Sequence, residues 1–191
     1  MVGNIPNFTK IDILRCFLKC NKNISRKELA KDLELGEGTI RTILEALKSK
    51  NFLDSTKKGH FLSKRGNELL NELNECISIQ KNVALQNLYN GSEKSAVIVR
   101  NAENLKQLYK LRDIAVKNWA EGAIILKYQN KLYAPESDYE QDFKELEECF
   151  DFRDNDVLII AFANEKRSAE NGALAIAVEL NNTLKKFISR F

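Results

Sequence analysis

The sequence predicts an α+β protein in which a helical N-terminal domain is followed by a domain of alternating strands and helices. Apolar residues recur at helical spacing between residues 9 and 49, whereas residues 157–163 form an unbroken apolar run typical of a buried strand. Charge divides the chain in the same way. Residues 1–66 hold 14 Lys and Arg against 7 Asp and Glu, and residues 67–191 hold 16 against 20. This asymmetry predicts two parts with different partners.

Length and composition set the domain organisation and disfavour some classes of protein. The chain has 191 residues, 43% of them hydrophobic, which is enough for two small cores. We expect a domain over residues 1–66, a connecting helix and linker over residues 67–92, and a second domain over residues 93–191. No run of about 18 apolar residues is present, so no membrane span is predicted. The first residues lack a signal-peptide pattern, and the expected location is cytoplasmic.

The first helix is predicted to begin after Thr9, a good N-cap residue, and to run to about Lys22. Cys16 and Cys20 lie one turn apart on it. This spacing suits either two ligands of one metal ion or two small residues that fill the core. Core filling is favoured because the chain has a single histidine, His60, and no Cys-x-x-Cys motif. No disulfide, metal or cofactor is predicted.

Two further helices are predicted, with a glycine-containing turn between them. Ser25 and Glu28 have the capping-box spacing that starts a helix. Gly36 and Gly38 interrupt the helical pattern, and Thr39 is placed to cap a third helix that ends near residue 49. The buried stripe of this third helix is predicted to consist of Ile40, Ile43, Leu44 and Leu47.

A short hairpin is predicted after the third helix. Residues 52–55 and 60–63 are strand-like, and the turn between them carries Lys57, Lys58 and Gly59. A short helix, a turn, a helix with one polar face and a basic hairpin are together typical of a winged helix-turn-helix. In that motif the third helix enters the major groove of DNA. The alternative is a small helical domain whose charges only solvate its surface.

A long connecting helix is predicted from Ser63 to about Tyr89, because apolar residues recur there at close to heptad spacing. Such a helix either forms a dimer contact or packs on its own chain, and the pattern favours neither explanation. A separate argument predicts a homodimer: one winged helix contacts few base pairs, and a symmetric dimer doubles the site.

The C-terminal domain is predicted to be a two-layer α/β sandwich, with helices covering one sheet. Apolar runs and helical spacing alternate along it. The expected strands are 95–100, 122–128, 131–134 and 157–163, and the expected helices are 105–119, 139–150 and 168–188.

The chain resembles winged-helix transcriptional regulators in two segments. These are Leu35-Gly36-Glu37-Gly38-Thr39-Ile40-Arg41-Thr42-Ile43-Leu44 and, after the basic hairpin, Leu62-Ser63-Lys64-Arg65-Gly66. The whole layout resembles an archaeal family that joins such a domain to an uncharacterised C-terminal domain. In that family a motif is similar to residues 156–160 followed by residues 170–175. The resemblance implies a DNA-binding regulator and no established ligand for the second domain.

Candidate DNA contacts follow from position on the predicted motif. Arg41, Thr42 and Glu45 project from the front of the third helix and are expected to contact base edges. Backbone and phosphate contacts are expected from Thr39 and Lys48 at the two ends of the helix, and from Lys57, Lys58 and His60 on the hairpin. The expected partner is double-stranded DNA. The alternatives are a protein-interaction module without specific DNA binding and a metabolite-responsive sensor.

The C-terminal domain carries no motif that predicts an enzyme. It lacks a nucleophile elbow, a phosphate-binding glycine loop and any histidine, and its acidic cluster at residues 138–148 does not follow a calcium loop. A weaker prediction is a small-molecule effector site at the start of the last helix, formed by Ser168, Asn171 and Gly172, because free N–H groups at a helix start favour anions. The alternative is that these small residues permit close packing, and it is favoured.

Overall fold

The computed structural model describes residues 8–80, 92–100, 102, 105–137, 139 and 141–191, and it divides into two compact units. The first comprises the chain up to Leu73 together with Phe187–Phe191, and the second comprises Asn74–Lys186. Within the described residues, no helix combines the length and the apolar character needed to cross a membrane.

Three helices begin the first unit: α1 (Lys10–Lys19), α2 (Arg26–Leu33) and α3 (Glu37–Ser49). The predicted caps of the first two helices are confirmed. Thr9 forms a capping box with Asp12, and Ser25 forms one with Glu28. Each box pairs two backbone N–H groups that a helix start would otherwise leave without a partner.

The turn between α2 and α3 differs from the prediction. Its left-handed residue is Glu34, the C-cap of α2 with φ of 55°, and neither nearby glycine has positive φ. Gly36 is extended and is the N-cap of α3, so the prediction that Thr39 caps this helix is wrong. Thr39 instead lies in the first turn. The pattern misled because Thr is a common cap, whereas the open backbone at Gly36 already ends the turn.

An antiparallel hairpin follows, formed by β1 (Leu53–Thr56) and β2 (Gly59–Leu62), with Thr56 opposite Gly59. Gly59 has φ of 147°, and a Cβ atom there would lie 2.6 Å from the carbonyl oxygen of Ile24. The position therefore requires glycine, both for its conformation and for the close approach of the neighbouring backbone.

The helix after the hairpin, α4 (Lys64–Cys76), is shorter than predicted. A helix through Ile77–Gln80 is wrong, because these residues form strand β3, which pairs antiparallel with β4 (Glu93–Val99). The alternation of isoleucine and polar residues at 77–80 suits a pleated strand, and pairing with a distant segment decides the outcome. The remainder of the predicted helix, residues 81–89, lies outside the described residues.

Aromatic side chains close the core of the first unit. Phe17 packs edge-on against Phe52 with ring centroids 5.9 Å apart, and Phe187 lies 5.0 Å from Phe17. Phe191 contacts both Phe52 and Phe187. The last five residues of the chain therefore belong to the N-terminal unit, and Phe187 is fully buried in its core.

The second unit is built on one antiparallel sheet of order β3-β4-β7-β5-β6. Its remaining strands are β5 (Gly122–Gln129), β6 (Lys131–Tyr133) and β7 (Val157–Ala163), and its helices are α5 (Leu108–Lys117), α6 (Lys144–Cys149) and α7 (Lys166–Leu180). A further helix, α8 (Asn182–Ile188), follows α7. The predicted helix over 168–188 is interrupted because Asn181 Oδ1 accepts the backbone N–H groups of Thr183 and Leu184 and starts α8.

Both faces of this sheet are covered, so the prediction of two layers is incomplete. On one face α7 packs across the central strands, beside α5. On the other, Leu146 of α6 and Phe150 join a buried cluster with Leu126, Leu158 and Ile160. Every residue of the central strand β7 is buried, as its unbroken apolar run predicted.

Candidate nucleic-acid interface

Helix α3 has one wholly buried face and one exposed polar face. Its apolar stripe of Ile40, Ile43, Leu44 and Leu47 is confirmed, with no more than 3% of any of these residues exposed. The exposed residues of the opposite side include Gly38, Arg41, Thr42 and Glu45. Because the buried stripe fixes the rotation of the helix, the three predicted base-contacting residues are held together on one outward surface.

Two of these residues form an ion pair. Arg41 Nε donates to Glu45 Oε1 at 2.9 Å, and the two side chains are 69% and 62% exposed. An exposed pair of this kind adds little stability. Its effect is geometric, since Glu45 restrains a guanidinium that retains further N–H donors. Thr42 donates its hydroxyl to the carbonyl oxygen of Gly38 and remains able to accept a hydrogen bond.

The first turn of α3 is open on its outer side. Apart from the flanking residues and the backbone of α3 itself, no atom lies within 4 Å of the position that a Cβ atom of Gly38 would occupy. Arg26, at the start of α2, donates to Glu37 at 3.2 Å and so links the starts of the two helices. Thr39 is half-buried in the same turn, and Lys48 is half-buried near the other end of α3.

The hairpin presents two lysines at its tip. Lys57 and Lys58 are both exposed, and the backbone N–H of Lys58 donates to Thr56 Oγ1 at 3.2 Å. Neither lysine has an ion-pair partner among the residues that the structure describes. The two charges are therefore available to an anionic partner.

His60 lies on β2, away from the tip, and is only half-exposed. Its backbone N–H and carbonyl both hydrogen-bond to Ile24 at 2.9 Å, and its Nδ1 is buried without a hydrogen-bond partner in the described structure. Burial, followed by the positive charges of Lys48 and Arg26, lowers the pKa of His60 below its usual value of 6.5. The imidazole is therefore neutral at pH 7. The two cations that act on it are Lys48, near the end of α3, and Arg26, at the start of α2.

A buried ion pair in the first unit was not predicted from the sequence. Asp12 and Arg15 of α1 are 0% and 2% exposed, and Arg15 donates to Asp12 at 2.9 Å and to the carbonyl oxygen of Leu33 at 3.2 Å. Leu33 is the last residue of α2, where carbonyl groups lack helical partners. The pair thus joins α1 to the end of α2. The available signal was the arginine three residues after a capping-box aspartate.

The two helical cysteines are both buried and reduced. A hydrogen bond between the Cys16 thiol and the Cys20 side chain, reinforced by burial, raises the pKa of Cys16 well above its usual value. A protonated thiol is a poor metal ligand. Among the described residues, no three His, Cys, Asp or Glu side chains are grouped so as to hold a metal ion.

The predicted effector site of the second unit lies at a tightly packed junction. Ser168 is half-buried in the first turn of α7, whereas Asn171 and Gly172 are fully buried. A Cβ atom on Gly172 would lie 2.5 Å from the Cβ of Ala120 and 3.4 Å from that of Ala161. Close packing of α7 on its neighbours therefore accounts for the glycine. An effector at this junction remains a prediction.

Two family models match the chain, one on each side of the position where the excess of basic residues ends. Residues 10–68 match a family model described as the PH0730-like N-terminal domain, and residues 90–180 match one described as a domain of unknown function, DUF4443. No curated protein matches the chain.

A solved structure is similar over nearly the whole chain. It is the hypothetical protein PH0730 from Pyrococcus horikoshii OT3, which is 28% identical, with a TM-score of 0.78 over 95% of this chain and all of that one. The predicted resemblance to an archaeal protein is thus confirmed, and so is the mixed α and β fold. Neither the family descriptions nor the name of the solved protein states a function.

Proposed function

We propose that the first unit is a winged helix-turn-helix that binds double-stranded DNA, and that the protein is a transcriptional regulator. The observation that carries the proposal is the outward polar face of α3, formed by Arg41, Thr42 and Glu45 on a helix whose other side is buried. Nothing in the packing of the unit requires these three side chains. A basic hairpin follows α3 directly, as the winged motif requires.

In the proposed complex α3 lies in the major groove. Arg41 donates to the O6 and N7 atoms of a guanine, which is the most common specific contact made by arginine. Glu45 holds the guanidinium in place from one turn away and is also able to accept from a cytosine amino group. Thr42 supplies a hydroxyl to a neighbouring base edge.

Phosphate contacts position the helix. Lys57 and Lys58 at the hairpin tip reach the backbone or the minor groove beside α3, while Thr39 and Lys48 approach phosphates at the two ends of the helix. The first turn of α3 has backbone N–H groups without helical partners, and no neighbouring element crowds Gly38 in that turn. His60 adds a positive charge to these contacts only when its imidazole is protonated, at a pH below neutral.

The protein is proposed to act as a homodimer. One helix of the length of α3 contacts only a few base pairs, and two copies related by a two-fold axis would read two half-sites about one helical turn of DNA apart. Light scattering behind size exclusion, with and without a palindromic duplex, tests the stoichiometry. A 1:1 complex on every fragment bound would contradict the dimer.

The test of DNA binding is a fluorescence-anisotropy titration of the full chain. The probes are promoter fragments from its own genome and a random duplex of equal length, and the Lys57→Ala/Lys58→Ala double variant serves as the comparison. We expect binding to both probes, weaker in the double variant, with at least one fragment preferred over random DNA. Absence of binding even at low salt would favour a protein-interaction module instead.

A further inference from the structure

We propose that the first unit carries a second anion site, a basic groove that binds a phosphate group. The groove is formed where the end of α3, the start of α4 and the last residues of the chain meet. Its cationic residues are Lys50, Arg65 and Arg190. This site is separate from the polar face of α3. Lys50 directly follows that helix and lies about 13 Å along the helix axis from Arg41, at a rise of about 1.5 Å per residue.

The groove has the size and the lining of a small-ligand site. Its cavity measures about 550 Å³, within the range of sites that hold small molecules. Besides the three cations, its polar lining includes Asn51 and Ser189. No Asp or Glu side chain lines it in the part of the chain that the structure describes. An anion entering the groove therefore meets three positive side chains and no acidic side chain among the described lining residues.

Two of the cations are held by the same aromatic ring. The guanidinium carbon of Arg65 lies 5.3 Å from the centroid of the Phe52 ring, and that of Arg190 lies 5.4 Å from it. The two guanidiniums are consequently no more than about 11 Å apart, because each lies within cation–π distance of one ring. The described structure gives neither arginine a carboxylate partner or a side-chain hydrogen bond. Their N–H donors remain available to a ligand.

The backbone around Phe52 fixes this arrangement before any ligand arrives. A Cβ atom on Gly66 would lie 2.1 Å from the carbonyl oxygen of Phe52, so the first turn of α4 rests directly on that residue. Ser63 Oγ donates to the carbonyl oxygen of Asn51 at 2.7 Å and accepts the N–H of Gly66 at 3.0 Å. A site whose cations are held in place loses less entropy on binding an anion than one built from free side chains.

Phosphate is the anion that this chemistry favours. Two guanidiniums supply planar sets of N–H donors that match phosphate oxygens in pairs, and the lysine adds a third charge. The phosphate has two possible sources. It belongs either to the DNA backbone, as an extension of the proposed contact surface, or to a free phosphorylated molecule that acts as an effector.

The test uses the full chain, isotope-labelled for amide NMR, and inorganic pyrophosphate as the probe. We expect shifts centred on Lys50, Asn51 and Arg65. Lys50→Gln and Arg65→Gln should each weaken binding by about tenfold, the loss expected for one charge-assisted hydrogen bond. Lys64→Gln, which removes the same charge one residue away from the groove, is the matched control and should leave binding unchanged.

A second arm measures binding of a random duplex to the same variants. If the groove variants weaken pyrophosphate binding and bind the duplex as Lys64→Gln does, the source is a free phosphate compound. If only duplex binding falls, and more for Arg65→Gln than for Lys64→Gln, the groove holds backbone phosphate. The proposal is overturned if neither probe distinguishes the groove variants from the control. The pyrophosphate arm contains no DNA, so failure of DNA binding would not be mistaken for failure of the groove.

Lys50→Gln also distinguishes a loss of the binding site from a loss of folding. Arg65 contacts the buried Phe52 ring, and its replacement could loosen the core, whereas Lys50 is exposed at the end of α3. Suppose that both Lys50→Gln and Arg65→Gln lose pyrophosphate binding and that the thermal midpoint of Lys50→Gln is unchanged. The loss is then caused by removal of the binding groups and not by unfolding.

Discussion

The two units differ in how much of a helix is exposed at the predicted site. In the first, α3 buries one side completely and leaves Arg41, Thr42 and Glu45 with no part in the core. In the second unit, small residues in the first half of α7 are buried, and Gly172 packs closely against Ala120 and Ala161. Side chains that folding does not require are candidates for function, while small side chains at a crowded junction are explained by packing. The contrast places the candidate site in the first unit.

The buried pair in the first unit should give the largest effect on stability. Asp12→Ala leaves Arg15 charged and buried, and removing one partner of such a pair costs about 3–5 kcal/mol. Urea unfolding followed by circular dichroism should show this loss. Asp54→Ala, at an exposed hairpin residue, should change stability by no more than about 0.5 kcal/mol. Equal effects of the two variants would mean that the pair does not join α1 to α2.

Gly172→Ala tests the packing explanation in the second unit. The added methyl group meets Ala120, and overpacking of this kind costs about 1–3 kcal/mol. Fluorescence of Trp119, the one tryptophan of the chain, reports unfolding next to this contact. Gly38→Ala is the matched control, because it adds the same methyl group to an open helical position and should be neutral or stabilising. An unchanged unfolding transition in Gly172→Ala would mean that the junction has room for a methyl group, and it would favour the effector site predicted there.

Arg41→Ala separates sequence reading from general attraction in the first unit. It should reduce preference for a specific fragment by about 1–3 kcal/mol and leave random-duplex affinity almost unchanged. Glu45→Gln should give a smaller loss in the same direction, because a neutral amide oxygen holds the Arg41 guanidinium less strongly than a carboxylate does. Anisotropy titrations on both duplexes measure the two effects. An equal loss on specific and random DNA would assign Arg41 to a phosphate.

His60 should produce the smallest effect, and one that depends on pH. Its pKa is lowered in the folded protein, chiefly by burial, so the unfolded chain takes up the proton first as the pH falls from neutral. Stability supported by the neutral imidazole is therefore present above pH 6.5 and is lost as the pH falls through the folded pKa. His60→Gln should flatten this part of the stability profile. An unchanged profile in the variant would contradict the burial of His60 as the cause.

Local signals in the sequence were enough to predict where α1 and α2 begin. Thr9 and Ser25 were identified as caps because a capping box is complete within four residues. Features that depend on distant partners were missed. Strand β3 forms only through pairing with β4, and Phe187 and Phe191 are assigned to the first unit only by contact with Phe17 and Phe52.

The candidate site shows the same limit. The outward positions of Arg41, Thr42 and Glu45 follow from helical period alone, and the structure places them as expected. The basic groove was not predicted, because its cations come from residues 50, 65 and 190 and meet only after folding. No periodicity links residues so far apart in the chain.

The salt dependence of DNA binding tests the central claim most directly. The logarithm of the binding constant of the wild type on a random duplex should fall linearly with the logarithm of salt concentration, by about 0.9 for each phosphate contacted. Lys57→Ala/Lys58→Ala should lower the magnitude of that slope by about 2, since two contacts are removed. A slope that is the same in wild type and double variant would mean that the hairpin does not touch DNA, and the winged-helix account would be wrong.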